Sequence, residues 1–238
     1  MQKLNLLFTK DGLQYQICKG KTVQKEIHLF PDENSDSTYV SKNLAQILEE
    51  KNFQEINVIS ALNHFSLQKH TFTEHEKGLD LIAFNADVNQ ENEELMLSVN
   101  KKFGLQFYYA FPKDLYSQIK GLQLPTTFNF SGEKFLQKIS IKNNKEIHIN
   151  LYHHQCEFIA IDGKKLVIYN NLDVNSEVDF LYFVMFTLSK INFGLDETKF
   201  FVYGETTEND TFISELQKFV RNLTIVFDNI HQKNFILS

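Results

Sequence analysis

The sequence predicts an α/β protein of two lobes, since three strands, a helix and a fourth strand occur twice, at an offset of roughly 140 residues. The strands are predicted by short runs in which apolar and polar residues alternate, and the helices by apolar residues spaced at i, i+4 and i+7. The chain has 238 residues, 42% hydrophobic and 23% charged. This length and composition suit a globular protein of one large domain or two small lobes.

The first lobe begins with three predicted strands joined by tight turns. Glycine lies in both turns, Lys10-Asp11-Gly12 and Gly20-Lys21, where it accepts the positive φ that a hairpin requires. The predicted elements of this repeat are strands at 4–8, 13–18, 23–29 and 56–60, and a helix with the apolar stripe Val40, Leu44, Ile47 and Leu48.

The second lobe repeats this order. Its predicted strands are at 147–151, 156–161, 164–169 and 199–203, with a break at His153-His154 after the first of them. A helix is predicted from a Ser176 cap, with Asp179 as its capping-box partner, to about Asn192, and Gly194 ends it.

Further elements are predicted between and after the repeats. They are a helix at 91–102 with the stripe Leu95, Met96, Val99 and Phe103, a strand at 105–111, a helix between Pro112 and Gly121, a helix capped by Ser131, a helix capped by Asp210 and a strand through Leu223, Ile225 and Phe227. The segment 142–145 is the predicted hinge, which gives a first lobe of 1–143 and a second of 144–238.

Composition and charge argue against two classes of partner. The net charge is -6 and the only arginine is Arg221, so no basic surface is expected to bind nucleic acid. The longest apolar stretch, Phe180 to Leu188, is under half of the ~20 residues that a membrane span needs. The N-terminus lacks the apolar core of a signal peptide, so we expect a cytoplasmic protein with Cys18 and Cys156 reduced.

Three segments carry motif-like residues: Leu166-Val167-Ile168-Tyr169-Asn170-Asn171, Val178-Asp179-Phe180-Leu181-Tyr182-Phe183 and Phe200-Phe201-Val202-Tyr203-Gly204-Glu205. With the repeated βββαβ order, they make the chain resemble an uncharacterised bacterial family of the actin-like ATPase fold, which belongs to the ribonuclease H-like class. Pilus-platform and cell-division actin homologues are members of the same superfamily. The resemblance implies two lobes, each with a mixed sheet, and implies no established activity.

Active members of that superfamily have an Asp, a spacer, a Gly and small hydroxyl residues between the first two strands of each lobe, where they bind Mg²⁺ and phosphate. In the first lobe Asp11-Gly12 occupies this place. The sequence is compatible there with either a plain hairpin turn or a phosphate loop. In the second lobe Asn150 replaces the aspartate and Tyr152 the glycine, beside His153. Gly204 is all that survives of the adenosine-side motif. The resemblance therefore implies a degenerate nucleotide site.

Two other features admit more than one interpretation. His153 and His154, near His148 and Cys156, suggest either a metal site or ordinary polar residues, and the sequence favours the latter. His64, His70 and His75 are expected at the surface. The helix after Ser176 is apolar nearly all round, which indicates either full burial or an interface that includes Phe180, Phe183 and Phe186.

The sequence thus leads to two functional hypotheses. The first is a non-catalytic actin-like protein, without a cofactor, that acts through contacts with an unknown protein or as a homodimer. The alternative is an ATP-binding protein with weak or unusual phosphoryl-transfer activity that uses Asp11, Gly12 and Gly204.

Overall fold

The computed structural model describes residues 2–50, 52–204, 211–226 and 236–237. The chain divides between Lys138 and Ile139 into two compact units. The lobe boundary predicted after residue 143 lies in the same connection, five residues further on, and stays a prediction. The two units are described separately below.

The first unit is built on the predicted meander, helix and strand. Its main elements are β1 (Gln2–Thr9), β2 (Gly12–Lys19), β3 (Thr22–Leu29), α1 (Tyr39–Glu49) and β4 (Glu55–Ser60). β1 pairs antiparallel with β2 and parallel with β4, so the sheet is mixed, as predicted. The alternation of these strands buries Leu4, Leu6 and Phe8 on one face, where they pack with Leu44 and Ile47 of α1.

A second, smaller sheet follows in the same unit. Its strands are β5 (Phe65–Lys69), β6 (Glu93–Asn100) and β7 (Leu105–Pro112), in the order β5-β7-β6. A 3₁₀ turn and α2 (Gly78–Ala83) lie between β5 and β6 in the chain. The unit ends with α3 (Lys113–Gly121), β8 (Thr126–Phe130) and α4 (Ser131–Lys138). β8 adds parallel to β4 and completes the main sheet, β3-β2-β1-β4-β8.

The prediction of a helix at 91–102 is wrong, because this segment forms strand β6, which pairs with β7. Two of its inward positions are polar: the Ser98 hydroxyl accepts from the amide of Phe130 at 2.9 Å, and Asn100 donates to Glu133. Leu97 and Val99 point outward and are exposed. The hydrophobic spacing misled because this strand exposes Leu97 and Val99 and buries Ser98 and Asn100 through hydrogen bonds, while Met96 on the same face packs on the core.

The second unit repeats the main sheet of the first. Its elements are β9 (Lys145–Leu151), β10 (Gln155–Asp162), β11 (Lys165–Asp173), α5 (Glu177–Ile191), β12 (Lys199–Gly204), α6 (Thr211–Gln217) and β13 (Leu223–Ile225). The strand order is β11-β10-β9-β12-β13. Each strand corresponds to one of the order β3-β2-β1-β4-β8, and the repeat predicted from the sequence is confirmed.

The ends of α5 are determined by polar residues. At its start the Ser176 hydroxyl accepts from the amide of Asp179 at 3.2 Å and donates to the Asp179 carboxylate at 2.7 Å. The helix ends at Asn192, which adopts the left-handed conformation with φ of 56°. Gly194, the residue predicted to end the helix, lies two residues further on. Asn tolerates this conformation better than other non-glycine residues. The predicted cap Asp210 and Phe227 lie outside the described residues.

The two faces of the second sheet differ in polarity. Ile147, Ile149 and Leu151 of β9 face the apolar core, which includes Phe158, Phe200 and the inner side of α5. The alternate residues Glu146, His148 and Asn150 face the other way and are also buried. The sheet therefore has one apolar and one polar buried face. Among the described residues, no helix is long and apolar enough to cross a membrane.

Candidate functional site

The hairpin between β1 and β2 is a tight two-residue turn. Thr9 pairs with Gly12, which leaves Lys10 and Asp11 as the loop. The amide of Asp11 donates to the Thr9 hydroxyl at 3.2 Å. Gly12 has φ of 140°, and a Cβ there would overlap the carbonyl oxygen of Leu29 and lie 3.1 Å from Pro31. The close approach of the end of β3 to this turn therefore requires a glycine at position 12, whether or not a ligand binds.

The equivalent hairpin in the second unit has the same length. The amide of Tyr152 donates to the carbonyl oxygen of Gln155 at 2.8 Å, so the loop is His153 and His154. Their rings lie 4.0 Å apart between centroids and are in contact with each other. Both hairpins where the superfamily binds phosphate are two-residue turns in this chain.

Glu157 of β10 is the centre of a buried cluster behind this second hairpin. Its Oε2 accepts from the side-chain amide of Asn150 at 3.0 Å and from the hydroxyl of Tyr152 at 2.8 Å. Its Oε1 accepts from the hydroxyl of Tyr169 at 2.8 Å. All four side chains are buried. The two residues that depart from the nucleotide-binding pattern thus bind the same carboxylate. We call these four residues the Glu157 cluster.

The chemistry of Glu157 explains why residue 150 is an amide. An aspartate there would place two buried carboxylates about 3 Å apart, where only one can ionise readily. The Asn150 amide instead donates a hydrogen bond to the Glu157 carboxylate. Asn150 and Glu157 are therefore matched to each other.

A second polar group extends along the same face of the sheet. The His148 ring lies between Glu146 Oε2, 3.2 Å from Nε2, and the Tyr203 hydroxyl, 3.1 Å from Nδ1. It stacks on Phe201 with 4.9 Å between centroids. Burial, and secondarily the charge of Glu146, raise the pKa of Tyr203 to about 12. A protonated phenol at this position can donate to His148.

Gly204 lies at the end of β12, beside Leu151 of β9 in the parallel register. Its φ is 101°, and a Cβ would overlap the carbonyl oxygen of Leu151 and lie 2.8 Å from its amide nitrogen. The close approach of two backbones accounts for this glycine within the sheet. The likeness of Gly204 to an adenosine-side motif thus also has an explanation that involves no ligand.

Sequence reasoning singled out Asn150 and Tyr152 but missed Glu157 and Tyr169, which hold them. One signal was available. In the run 156–161, Glu157 is the one charged residue of an otherwise apolar strand, and a charge at such a position is buried only when it is paired. What the sequence did not indicate was that its partners come from β9, from the hairpin and from β11.

The geometry gives no support to a metal site at His153 and His154, and it makes Cys156 and Cys18 poor candidates for a nucleophile. Within the described part of the chain, no three His, Cys, Asp or Glu side chains come together as metal ligands. Burial raises the pKa of the Cys156 thiol, with Glu157 as a smaller cause, and burial also raises that of Cys18. A thiol held protonated is a poor nucleophile.

We expect both thiols to be unreactive in the folded protein at pH 8. Both are buried and free, so 5,5′-dithiobis(2-nitrobenzoate) should label neither within minutes, and both at once in guanidinium chloride. The absorbance at 412 nm measures this directly. Rapid labelling of one thiol under native conditions would show that its strand opens to solvent and would contradict this expectation.

The α5 helix is buried on one side and exposed on the other. Phe180 is 2% exposed and belongs to the core, so it does not contribute to an exposed surface. Phe183 is half-buried and packs edge-to-face on Phe158. Phe186 is 47% exposed, with Val178 at 74% and Tyr182 at 68%. The exposed apolar residues of α5 are therefore Val178, Tyr182 and Phe186, of which sequence analysis identified only Phe186.

Two solved structures are similar to this chain over nearly its whole length. A Bacteroides thetaiotaomicron protein described as having an actin-like ATPase fold and unknown function has a TM-score of 0.80 at 16% identity, over 94% of this chain and 90% of that one. The PilM–PilN type IV pilus biogenesis complex has a TM-score of 0.62 at 12% identity, over 96% of this chain and 91% of that chain. The predicted two-lobed actin-like ATPase fold is confirmed.

A more distant similarity is to the cytoplasmic domain of EpsL from Vibrio cholerae, an inner membrane component of the type II secretion system. Its TM-score is 0.53 at 6% identity, over 96% of this chain and 89% of that one. The curated proteins gave no match. The model of one family, described as a protein of unknown function, DUF3822, matches residues 1–223. With this match over most of its length, the chain belongs to the DUF3822 family, whose actin-like fold was predicted from the sequence.

Proposed function

We propose that this protein is a non-catalytic, cytoplasmic protein of the actin-like fold that acts through contacts with other protein chains. The observation that carries the proposal is the Glu157 cluster, in which Asn150 and Tyr152 both donate to one buried carboxylate. These are the residues that would have to bind Mg²⁺ and admit phosphate if the site hydrolysed a nucleotide.

The chemistry of Mg²⁺ supports this proposal. Mg²⁺ prefers anionic oxygens in nearly octahedral geometry and keeps several waters. Asn150 presents a neutral amide, and its nitrogen is engaged by Glu157. The Glu157 carboxylate in turn accepts from three donors within the fold. The carboxylate is thus engaged within the fold, and Asn150 offers a cation only its neutral amide oxygen, without the negative charge that Mg²⁺ prefers.

The approach of a phosphate is also unfavourable. Phosphate loops bind through backbone N–H groups that point into a concave turn. In the second hairpin the amide of Tyr152 is instead paired with the carbonyl of Gln155, as in an ordinary strand ladder. The Tyr152 ring adds bulk where the superfamily has a glycine without a side chain.

The exposed side of α5 supports the role in protein contacts. An aromatic pair, Tyr182 and Phe186, lies in water beside Val178, although such residues are normally buried. The similar PilM structure was solved as a complex with a second protein, PilN. We infer that α5 provides a contact surface in this protein.

We expect Mg-ATP to leave the melting temperature unchanged. A nucleotide present at 100 times its dissociation constant would stabilise the fold by about 2.7 kcal/mol, a rise of several degrees for a chain of this length. Differential scanning fluorimetry with 5 mM Mg-ATP, against Mg²⁺ alone, measures this. A rise with Mg-ATP that Asp11→Ala removes would support the competing ATP-binding function. Gly204 is unsuitable for this control, because any side chain there would disturb the sheet.

A further inference from the structure

The exposed side of α5 carries a continuous apolar stripe. Val178, Tyr182 and Phe186 follow one another at intervals of four residues and so lie on one face of the helix. The rings of Tyr182 and Phe186 stack at 5.8 Å with 18° between their planes. We call these three residues the α5 stripe.

Opposite charges lie at the two ends of the α5 stripe. Asp179 is in the first turn of the helix and Lys190 in the last. The Lys190 ammonium lies 5.1 Å from the centroid of the Phe186 ring, so it extends the stripe at that end. The two charges are about 16 Å apart along the axis, at a rise of ~1.5 Å per residue.

A small pocket opens beside Asp179. Its volume is about 80 Å³, and Leu172, Asp173, Val174, Asp179, Phe180 and Phe183 line it. This is well above the roughly 10–15 Å³ that admits one water. The apolar residues suit the aliphatic stem of a lysine and the carboxylates suit its ammonium group. The pocket is thus complementary to a side chain such as Lys190, which the chain itself displays at the other end of the stripe.

We propose that the α5 stripe is the contact between two copies of this chain, which pack their α5 helices antiparallel about a two-fold axis. In this arrangement Tyr182 of each copy lies against Phe186 of the second copy, and Lys190 of each enters the pocket at Asp179 of the other. The proposal deepens the proposed function, on which it rests, by naming a second copy as the partner. It uses one surface twice, as isologous dimers do.

The charge order favours the second copy over another occupant. In the antiparallel arrangement both ends bring Asp179 together with Lys190, whereas a parallel pair would bring like charges together at both ends. The α5 stripe exposes on the order of 300–400 Å² of side chain, since an aromatic residue carries ~150–250 Å². A standard interface buries about 800 Å² per partner. The dimer is therefore a reversible one that dissociates on dilution.

Sedimentation velocity of the full chain between 1 and 200 μM tests the proposal. We expect the sedimentation coefficient to rise with concentration toward the dimer. Lys190→Asp and Asp179→Lys should each weaken dimerisation at least about tenfold, because each variant faces like charges at both ends of the pair. An equimolar mixture of the two variants should restore association, since one chain then carries two positive ends and the other two negative ends.

One spectroscopic check and two further variants, Tyr182→Glu and Phe84→Glu, distinguish loss of the contact from a folding defect. Asp179→Lys keeps the amide that donates to Ser176, so α5 should still form, and circular dichroism checks this. Tyr182→Glu should abolish the dimer, whereas Phe84→Glu, at an 82% exposed apolar residue of the first unit, should leave it intact.

Three outcomes would overturn the proposal: a monomer throughout the range, a dimer that survives Tyr182→Glu, and single charge variants whose mixture does not reassociate. The proposed function would still stand if the protein were monomeric and a different chain were captured in a Tyr182-dependent manner. The proposed function has its own test, because stabilisation by Mg-ATP that Asp11→Ala removes would contradict it whatever the oligomeric state.

Discussion

Glu157→Ala is expected to lower the free energy of unfolding by about 3 to 5 kcal/mol. The substitution removes the shared acceptor of Asn150, Tyr152 and Tyr169, and each buried donor that loses its partner costs ~1–3 kcal/mol, less when water enters the space. The measurement is equilibrium unfolding in urea, compared through the midpoint and slope. A loss of this size would show that the Glu157 cluster stabilises the fold.

Two variants calibrate this result. Tyr152→Phe removes one donor and leaves Glu157 with two, so we expect a loss of about 1 kcal/mol. Glu197→Ala removes an exposed glutamate of the same unit and should change stability by less than about 0.5 kcal/mol. If Glu157→Ala were as mild as Glu197→Ala, the carboxylate would be open to a ligand, and the structural interpretation of the cluster would be wrong.

Gly204→Ala should destabilise the fold nearly as much as Glu157→Ala, and we expect the free energy of unfolding to fall by about 3 kcal/mol or more. The added Cβ would meet the carbonyl oxygen and amide nitrogen of Leu151, so β9 and β12 would have to separate where they pair. The positive φ of Gly204 adds a further ~1–2 kcal/mol for any other residue. Thermal and urea unfolding of the variant, without any nucleotide, measure this cost.

Gly163→Ala is the matched control for Gly204→Ala. Gly163 also has a positive φ, 58°, but a Cβ there meets no atom within 4 Å. It should therefore lose only the conformational part, about 1 kcal/mol. Equal losses at the two positions would contradict the close backbone approach at Gly204, and the glycine would then need another explanation, such as a ligand.

Most of the fold was predictable because the strands of the two five-stranded sheets bury one apolar face. In β1 and β9 the alternation of Leu4, Leu6 and Phe8, and of Ile147, Ile149 and Leu151, follows the two-residue period of a strand. The prediction failed in β6, where Ser98 and Asn100 are buried by hydrogen bonds to residues about 30 positions away. Periodicity carries no information about such long-range polar contacts.

The candidate site was predictable in a similar way, but only in part. Asn150 and Tyr152 could be recognised as departures from a known pattern, because the pattern is local in sequence. Their common acceptor, Glu157, lies across a hairpin, and Tyr169 lies on the third strand, so the cluster exists only once the sheet has formed. The same holds for α5, whose exposed side depends on which face the sheet covers.

If both hairpins are structural turns, the purified chain should release no phosphate from Mg-ATP, and a phosphate-release assay measures this. We expect the same rate for the unmodified protein, for Asp11→Ala and for buffer alone, at millimolar Mg-ATP over several hours. Phosphate release that follows the protein through gel filtration and disappears in Asp11→Ala would contradict it. The first hairpin would then be a working phosphate loop.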